Sequence, residues 1–262
     1  MSDQILRDDQ GAIARLTLNR PERFNTLSVE MIAGLYTALA TIAEDRGIRA
    51  VVIAAKGKAF CAGHDLEQMQ AARANPDGGR AGFRALFDGC AQLMGLIQTL
   101  PQPVIAEVQG VTTAAGTQLV ATCDLAVASD KARFGVNGVD VGLFCSTPAV
   151  ALSRAIPRKA AFEMLSTGQF IDAPRAAELG LVNRVTTAAA LSETTMALAA
   201  RIAAYPPEVI AMGKRSFYEQ LAHGTEDAYD AASDTICANL MLPETREGMQ
   251  AFLDKRAPDW RD

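Results

Sequence analysis

The sequence has 262 residues, of which 49% are apolar and 21% charged, and it carries a net charge of −5. That length fits one large domain, or a domain with a small appendage, with enough apolar side chain for a sizeable core. The acidic balance and the lack of a basic stripe exclude a nucleic-acid footprint, and no apolar run approaches the roughly 18 residues of a membrane span. Residues 1–10 are polar and acidic, with neither an apolar signal core nor an Arg/Ser-rich transit pattern, so a cytoplasmic protein is expected. The five cysteines, Cys61, Cys90, Cys123, Cys145 and Cys237, are odd in number and widely spaced. No C-x-x-C or Cys/His ligand spacing occurs, so no metal site and no disulfide framework are expected, and most of the thiols read as small core hydrophobes.

Ala12 to Leu18 alternates apolar and polar residues and reads as a strand, ended by Asn19-Arg20-Pro21-Glu22. After a loop at Asn25 to Leu27, Ser28 is an N-cap for a helix with Met31, Ile32, Leu35, Leu39 and Ile42 at helical spacing, closed by Arg46-Gly47. Ala50 to Ala55 is a continuous apolar run that suits a strand buried on both faces of a sheet. A loop of small residues follows directly, Lys56 to Leu66. Ala71 to Arg84 is rich in Ala, Gly and Arg and reads as a loop or mobile cover. Phe83 to Leu100 is helical, broken by Pro101 and Pro103, and Val104 to Val108 is a strand.

Asp124 to Ser129 is another buried-strand pattern, and the glycine-punctuated stretch Phe134 to Pro148 is mostly loop. Helices follow at Pro148 to Ala155, at Arg158 to Ser166 and, capped by Asp172, through Glu178 to a stop at Gly180. Val182 to Val185 is a short strand. From Ala188 every pattern is helical: Ala188 to Ala204, Pro207 to Leu221, Thr225 to Leu240 and Glu244 to Lys255. Repeated strand–helix–strand order implies crossover units and a largely parallel sheet in an α/β core to about residue 190, followed by a helical region over 191–262.

The stretch Gln109 to Val120 (QGVTTAAGTQLV) runs from strand to helix through small residues. Small residues at such a switch let a ligand approach the backbone closely, and the first N–H groups of a helix point outward with the helix dipole behind them. The place can hold a negative oxygen, or it can be a helix start packed tightly on a sheet.

Four segments together resemble the crotonase superfamily, the enoyl-CoA hydratase/isomerase family, over essentially the whole chain. They are Leu18-Asn19-Arg20-Pro21 with Asn25 and Leu27; Ala59-Phe60-Cys61-Ala62-Gly63-His64-Asp65-Leu66; Gly110 to Asp124; and Phe134-Gly135 with Gly142-Leu143. Ala114-Ala115-Gly116 with Gly142 to Pro148 is most similar to the enoyl-CoA hydratase domain-containing subgroup. The resemblance implies the crotonase (ClpP-like) fold, a spiral of repeated ββα units with a helical C-terminal trimerisation region, assembled as a homotrimer or hexamer. It implies an acyl-CoA substrate whose thioester enolate is stabilised by two backbone N–H groups, at His64 and Ala115. Coenzyme A enters as part of that substrate, with no separate cofactor. The resemblance further places Arg23, Phe24, Ala62, His64, Asp65 and Leu66 on the CoA side of the site, with Phe252 and Lys255 reaching the CoA of a neighbouring subunit. Ala71 to Leu86 is expected to line the acyl pocket.

Hydratases of this family use two glutamates to move the protons of water. The matching positions here are Gln118 and Gly138, and neither titrates. Replacing both by glutamate is therefore expected to raise hydration. His64 could supply a proton acceptor, although its side chain is free to point elsewhere. Asp65 and Asp140 read more readily as carboxylates that brace loops. Cys145 and Ser146 lie where other crotonases place a catalytic side chain, but no histidine is tied to Cys145 in sequence. His223 reads as surface. Three functions stay open: a hydratase or isomerase with an atypical proton-transfer group, an acyl-CoA hydrolase on the same platform, and a non-catalytic acyl-CoA-binding protein. A dinucleotide-binding G-x-G-x-x-G after an early strand and a G-x-S-x-G elbow are both missing.

Overall fold

The computed structural model describes residues 3–260. The chain opens with β1 (Ile5–Gln10) and β2 (Ile13–Leu18), an antiparallel hairpin with Ile5 opposite Leu18. A 3-10 turn at Pro21–Arg23 leads to α1 (Val29–Ala43), capped as expected by Ser28, whose hydroxyl accepts from the Met31 N–H at 3.2 Å. Three strand–strand–helix units follow. The first is β3 (Ala50–Ala55), β4 (Ala59–Cys61), α2 (Leu66–Ala72) and α3 (Arg80–Thr99). The second is β5 (Val104–Val108), β6 (Val111–Thr113) and α4 (Ala115–Thr122). The third is β7 (Leu125–Ser129), β8 (Arg133–Gly135), α5 (Ser146–Ala155) and α6 (Arg158–Thr167), with a 3-10 turn at Asn137–Val141. Then come β9 (Ile171–Asp172), α7 (Ala173–Leu179), β10 (Arg184–Thr186) and α8 (Leu191–Ala203), and finally α9 (Pro207–Gln220), α10 (Thr225–Leu240) and α11 (Pro243–Leu253).

Each unit gives its first strand to a large sheet, in the order β1-β2-β3-β5-β7-β10, and its second to a small one, β4-β6-β8-β9. From β2 onward the large sheet is parallel. Its central strands β3 and β5 are buried along nearly their whole length, which is why they read as unbroken apolar runs. One face packs with Leu16, Leu18 and Ile53 against α1 and α3. The other is covered by α8, where Leu191, Leu198 and Ala199 meet Ile13, Val52, Ile105 and Val127. The spiral of ββα units is therefore present as expected.

Three local expectations change. Residues read only as polar and acidic form the edge strand β1, whose charged side chains Arg7, Asp8 and Asp9 suit an exposed sheet edge; residues 1 and 2 lie outside the described part. The expected loop at 71–84 shrinks to 73–79. Asp65 caps α2 by accepting from the Glu67 and Gln68 N–H groups, and Asp77 takes the Ala81 N–H at 2.7 Å, starting α3 at Arg80 rather than Phe83. Ala59–Cys61, read as loop, is β4, because it pairs with β6.

Among the described residues, α10 buries none of its side chains, α9 buries only Lys214 and α11 only Ala251. Phe217, Tyr229, Met241, Phe252 and Leu253 are all more than half exposed. A polar cluster ties α9 to the body. The Lys214 ammonium donates to the Ile97 carbonyl (2.8 Å), the Gln102 carbonyl (3.1 Å) and Asp124 Oδ2 (2.6 Å), while the Tyr218 hydroxyl donates to Asp124 Oδ1 (2.8 Å).

Candidate active site

β4 and β6 lie side by side, with Cys61 opposite Thr112. The chain leaves β4 through Ala62-Gly63-His64 and leaves β6 through Ala114 into α4, so the two exits are neighbours. Gly116 makes this possible, because a Cβ there would sit 2.1 Å from the Cys61 carbonyl oxygen. A Cβ on Gly63 would lie 3.5 Å from the Ala115 nitrogen, which measures how near the two backbones pass.

The direction of the amides follows from peptide geometry. The Leu27 N–H donates to the Gly63 carbonyl at 2.8 Å. In a trans peptide the C=O and N–H point opposite ways, so the His64 N–H is turned away from Leu27. Ala115 is the first residue of α4, so its N–H has no partner within the helix. Ala114 before it adopts φ 50° and ψ −119°, a conformation that favours glycine, and its own N–H is tied to the Gly135 carbonyl at 3.0 Å. This strained residue sets the plane of the 114–115 peptide.

Ala62, His64, Ala114 and Ala115 form one wall of a cavity of about 430 Å³. Leu66 and Met69 of α2 and Phe87 of α3 form another, and Val141, Leu143, Phe144 and Cys145 close it from the loop before α5. The expected lining by residues 71–86 is corrected. α2 and α3 turn that segment away, and the residues on either side of it face the cavity. Met69 and Phe87 carried no sequence signal beyond helical apolar spacing. Thr113 and Asn137 add polar groups, the Thr113 hydroxyl donating to Asn137 Oδ1.

His64 lines the cavity with its ring edge-on to Phe87, 5.2 Å between centroids. Its Nδ1 lies 3.1 Å from the Leu27 carbonyl, and its Nε2 is buried without a partner. Burial pushes the imidazole pKa below the ordinary histidine value, against the opposing pull of the Leu27 carbonyl. Burial likewise pushes the Cys145 thiol up, partly offset by its contact with the Gly138 backbone. Cys145 is thus held as a thiol rather than a thiolate nucleophile.

Gln118 is buried within α4, its Oε1 without a hydrogen-bond partner, and it does not reach the cavity wall. Gly138 does line the cavity, but a Cβ there would meet the Leu143 carbonyl oxygen at 2.3 Å and Cys145 Sγ at 2.7 Å. The Leu143–Cys145 loop has closed over the space a side chain would need. A glutamate at 138 would have to push this loop aside, so restoring both glutamates is not expected to raise hydration. Asp140 is exposed and accepts from Asn137 Nδ2 at 3.3 Å, a bracing role.

Among the positions assigned to CoA, Ala62, His64 and Leu66 face the cavity. Asp65 turns back to cap α2. Burial raises its pKa, yet hydrogen bonds from the Gln68 N–H, Arg23 and the Glu67 N–H outweigh this and hold the carboxyl below its ordinary value. Arg23 pairs with Glu67 (2.7 Å) and Asp65 (3.4 Å), which raises its pKa, and Phe24 beside it is exposed. Asn25 is fully buried and fixes this loop by donating to the Lys56 and Ala59 carbonyls. Phe252 and Lys255 are not brought to the cavity. Phe252 lies on a separate groove of about 660 Å³ between α9 and α11, and Lys255 follows α11 in the left-handed conformation. His223 is exposed.

Residues 8–262 match the family model described as enoyl-CoA hydratase/isomerase. The mitochondrial enoyl-CoA hydratase domain-containing protein 3 of Xenopus laevis is 45% identical over 98% of this chain and 85% of its own. In the solved structures, an enoyl-CoA hydratase of Mycobacterium smegmatis shares 53% identity over 98% of each chain, with a TM-score of 0.94. Human enoyl Coenzyme A hydratase domain-containing protein 3 shares 42% identity, covering 98% of this chain and all of that one, with a TM-score of 0.93. The resemblance to the domain-containing subgroup therefore stands. The expectation of a cytoplasmic protein does not, since the Xenopus, Danio rerio and human relatives are all named mitochondrial. The polarity on which it rested belongs to the edge strand β1 and reports on sheet structure rather than compartment. With the ββα spiral, the paired strand exits and the matched length all in agreement, the chain belongs to the enoyl-CoA hydratase/isomerase family.

Proposed function

We propose that the protein acts on acyl-CoA thioesters, binding the carbonyl oxygen between the N–H groups of His64 and Ala115 and stabilising the enolate that forms there. The observation that supports this reading is the pairing of β4 with β6, which makes the chain exits at His64 and Ala115 neighbours on the wall of a largely apolar cavity. Each such donor supplies about 3–4 kcal/mol in the transition state, because it is aimed where charge develops and needs no reorganisation. Val141, Leu143 and Phe144 supply the apolar surface for the acyl chain. Arg23, held by Asp65 and Glu67 on either side of the cavity-lining Leu66, is the phosphate contact, exchanging its surface pairing with Glu67 for the more highly charged CoA. α9–α11, with Phe252 and Lys255, form the contact between subunits of a homotrimer or hexamer, where their exposed apolar side chains become buried.

The chemistry is isomerisation or a related enolate reaction rather than efficient hydration, because Gln118 cannot take a proton and Gly138 has no side chain. The same two positions favour a second reading, an acyl-CoA-binding protein without turnover. A panel of acyl-CoAs, followed by mass spectrometry for gain of water and loss of CoA and by absorbance for a double-bond shift, separates the two. We expect tight acyl-CoA binding, a double-bond shift, and crotonyl-CoA hydration far below the ~10 per second of a typical enzyme. Hydration at that typical rate would contradict the role assigned to the missing glutamates. Binding with no reaction across the panel would favour the second reading.

A further inference from the structure

We propose that the His64 side chain is the catalytic base of this site, its Nε2 removing the α-proton of the bound acyl thioester and returning it to the γ-carbon. The inference rests on the reading of the cavity as an acyl-CoA site.

The tautomer is set by chemistry. The Leu27 carbonyl can only accept, so the Nδ1 that lies 3.1 Å from it carries the proton, and Nε2 presents a lone pair. That lone pair is buried with no partner. An unpaired buried acceptor costs stability unless another group comes to meet it, and His64 is a residue of the cavity wall. Among the described residues, His64 and Cys145 are the titratable side chains of the cavity wall. Cys145 is held as a thiol, and the neighbouring Asp65 is turned into the cap of α2. No charged group faces the imidazole from α2, α3 or the loop before α5, and burial favours its neutral, basic form.

Position selects the proton. In the proposed site the His64 N–H binds the thioester oxygen, so the side chain of the same residue lies beside the carbons next to that carbonyl. Nε2 is closed to solvent in this conformation, its ring packed edge-on against Phe87. An acyl chain that parts these two rings reaches Nε2, and its own carbons keep water out. A C–H proton is therefore the substrate of this base. The step balances without a cofactor. Nε2 takes the proton from C2 of a 3-enoyl thioester, the C–H electron pair becomes the C1–C2 double bond of the enolate, and the carbonyl pair moves onto the oxygen. The pair between C3 and C4 then takes the proton from the imidazolium to form the C4–H bond, the C1–C2 pair moves to C2–C3, and the pair on the oxygen re-forms the carbonyl, giving the 2-enoyl thioester. One base serves both ends, whereas water addition would need a second group.

The test uses 3-hexenoyl-CoA in deuterium oxide, with hexanoyl-CoA binding measured alongside. His64→Asn keeps a donor near the Nδ1 position for Leu27, keeps the backbone N–H, and removes Nε2. The wild type is expected to bind hexanoyl-CoA, shift the double bond and incorporate deuterium at C2 and C4. His64→Asn should bind within about threefold of wild type and lose the shift and exchange by at least ~100-fold, the scale of a general base. Should the variant fail to fold, the wild-type pH profile still decides: kcat/KM should rise with pH through a value below the ordinary histidine pKa and then stay flat. Retention of exchange within tenfold in His64→Asn, a profile flat across the acidic range, or a wild type that binds hexanoyl-CoA without exchanging, overturns the inference and leaves the acyl-CoA reading intact. No binding of either thioester by wild type removes the reading and the inference together.

Discussion

Gly116→Ala is expected to reduce turnover of any acyl-CoA substrate by about 100-fold or more while leaving a folded protein. The added methyl would sit 2.1 Å from the Cys61 carbonyl oxygen, 2.8 Å from its carbon and 2.9 Å from Cys61 Cβ. Two of these atoms are backbone of β4, so no side chain can swing aside, and the first turn of α4 must back away by more than an ångström. That displacement carries the Ala115 N–H away from the His64 N–H. A misplacement of that size in a catalytic group is worth about 100-fold in rate, and overpacking itself costs about 1–3 kcal/mol of stability. Gly95→Ala is the matched control. Gly95 lies in α3, is exposed and has nothing within 4 Å of its Cβ position. It should leave activity unchanged and add up to about 1 kcal/mol from helix propensity. Steady-state kinetics and thermal unfolding of the two variants separate geometry from general perturbation.

Lys214→Met is expected to destabilise the protein by about 3–5 kcal/mol, the usual consequence of removing one member of a buried ion pair. Its side chain is 6% exposed and that of Asp124 is 13% exposed. Burial pushes the lysine pKa down against the attraction of Asp124, and the ammonium also serves two main-chain carbonyls. Methionine fills the volume but leaves Asp124 with only the Val104 N–H and the Tyr218 hydroxyl. In a chain of this size the loss corresponds to a fall in Tm of roughly 10 °C. Adding Asp124→Asn should recover part of it, because the unpaired charge is then gone. A double variant no more stable than Lys214→Met alone would show that packing, not charge, holds α9 to the body.

The two variants mark the limits of what could be read from the sequence. The ββα spiral was legible because β3, β5 and β7 are buried on both faces and must be continuous apolar runs, and because Ser28 and Asp172 cap their helices as their chemistry demands. The small-residue exits at 62–64 and 114–116 were legible as places of close approach. The edge strand β1 escaped because an edge tolerates the charged residues that a buried strand excludes. The Lys214 tie escaped because its partners lie 90 or more residues away in the chain. Gly138 was legible as a missing glutamate, but not as a position sealed by Leu143 and Cys145, since only the folded loop reveals that. The same holds for His64. Its type and place were plain in the sequence, while the hydrogen bond that fixes its tautomer joins it to Leu27, far off in the chain. The compartment was misread because polarity at one end of a chain has more than one cause.

The central claim is that the His64 and Ala115 N–H groups recognise a thioester carbonyl. The most direct measurement compares hexanoyl-CoA with its S-hexyl thioether, which lacks only the carbonyl oxygen, by calorimetric titration. The account predicts that the thioether binds at least ~10-fold more weakly, the equivalent of about 1.4 kcal/mol shared between two hydrogen bonds. Equal affinities for the two ligands would contradict it.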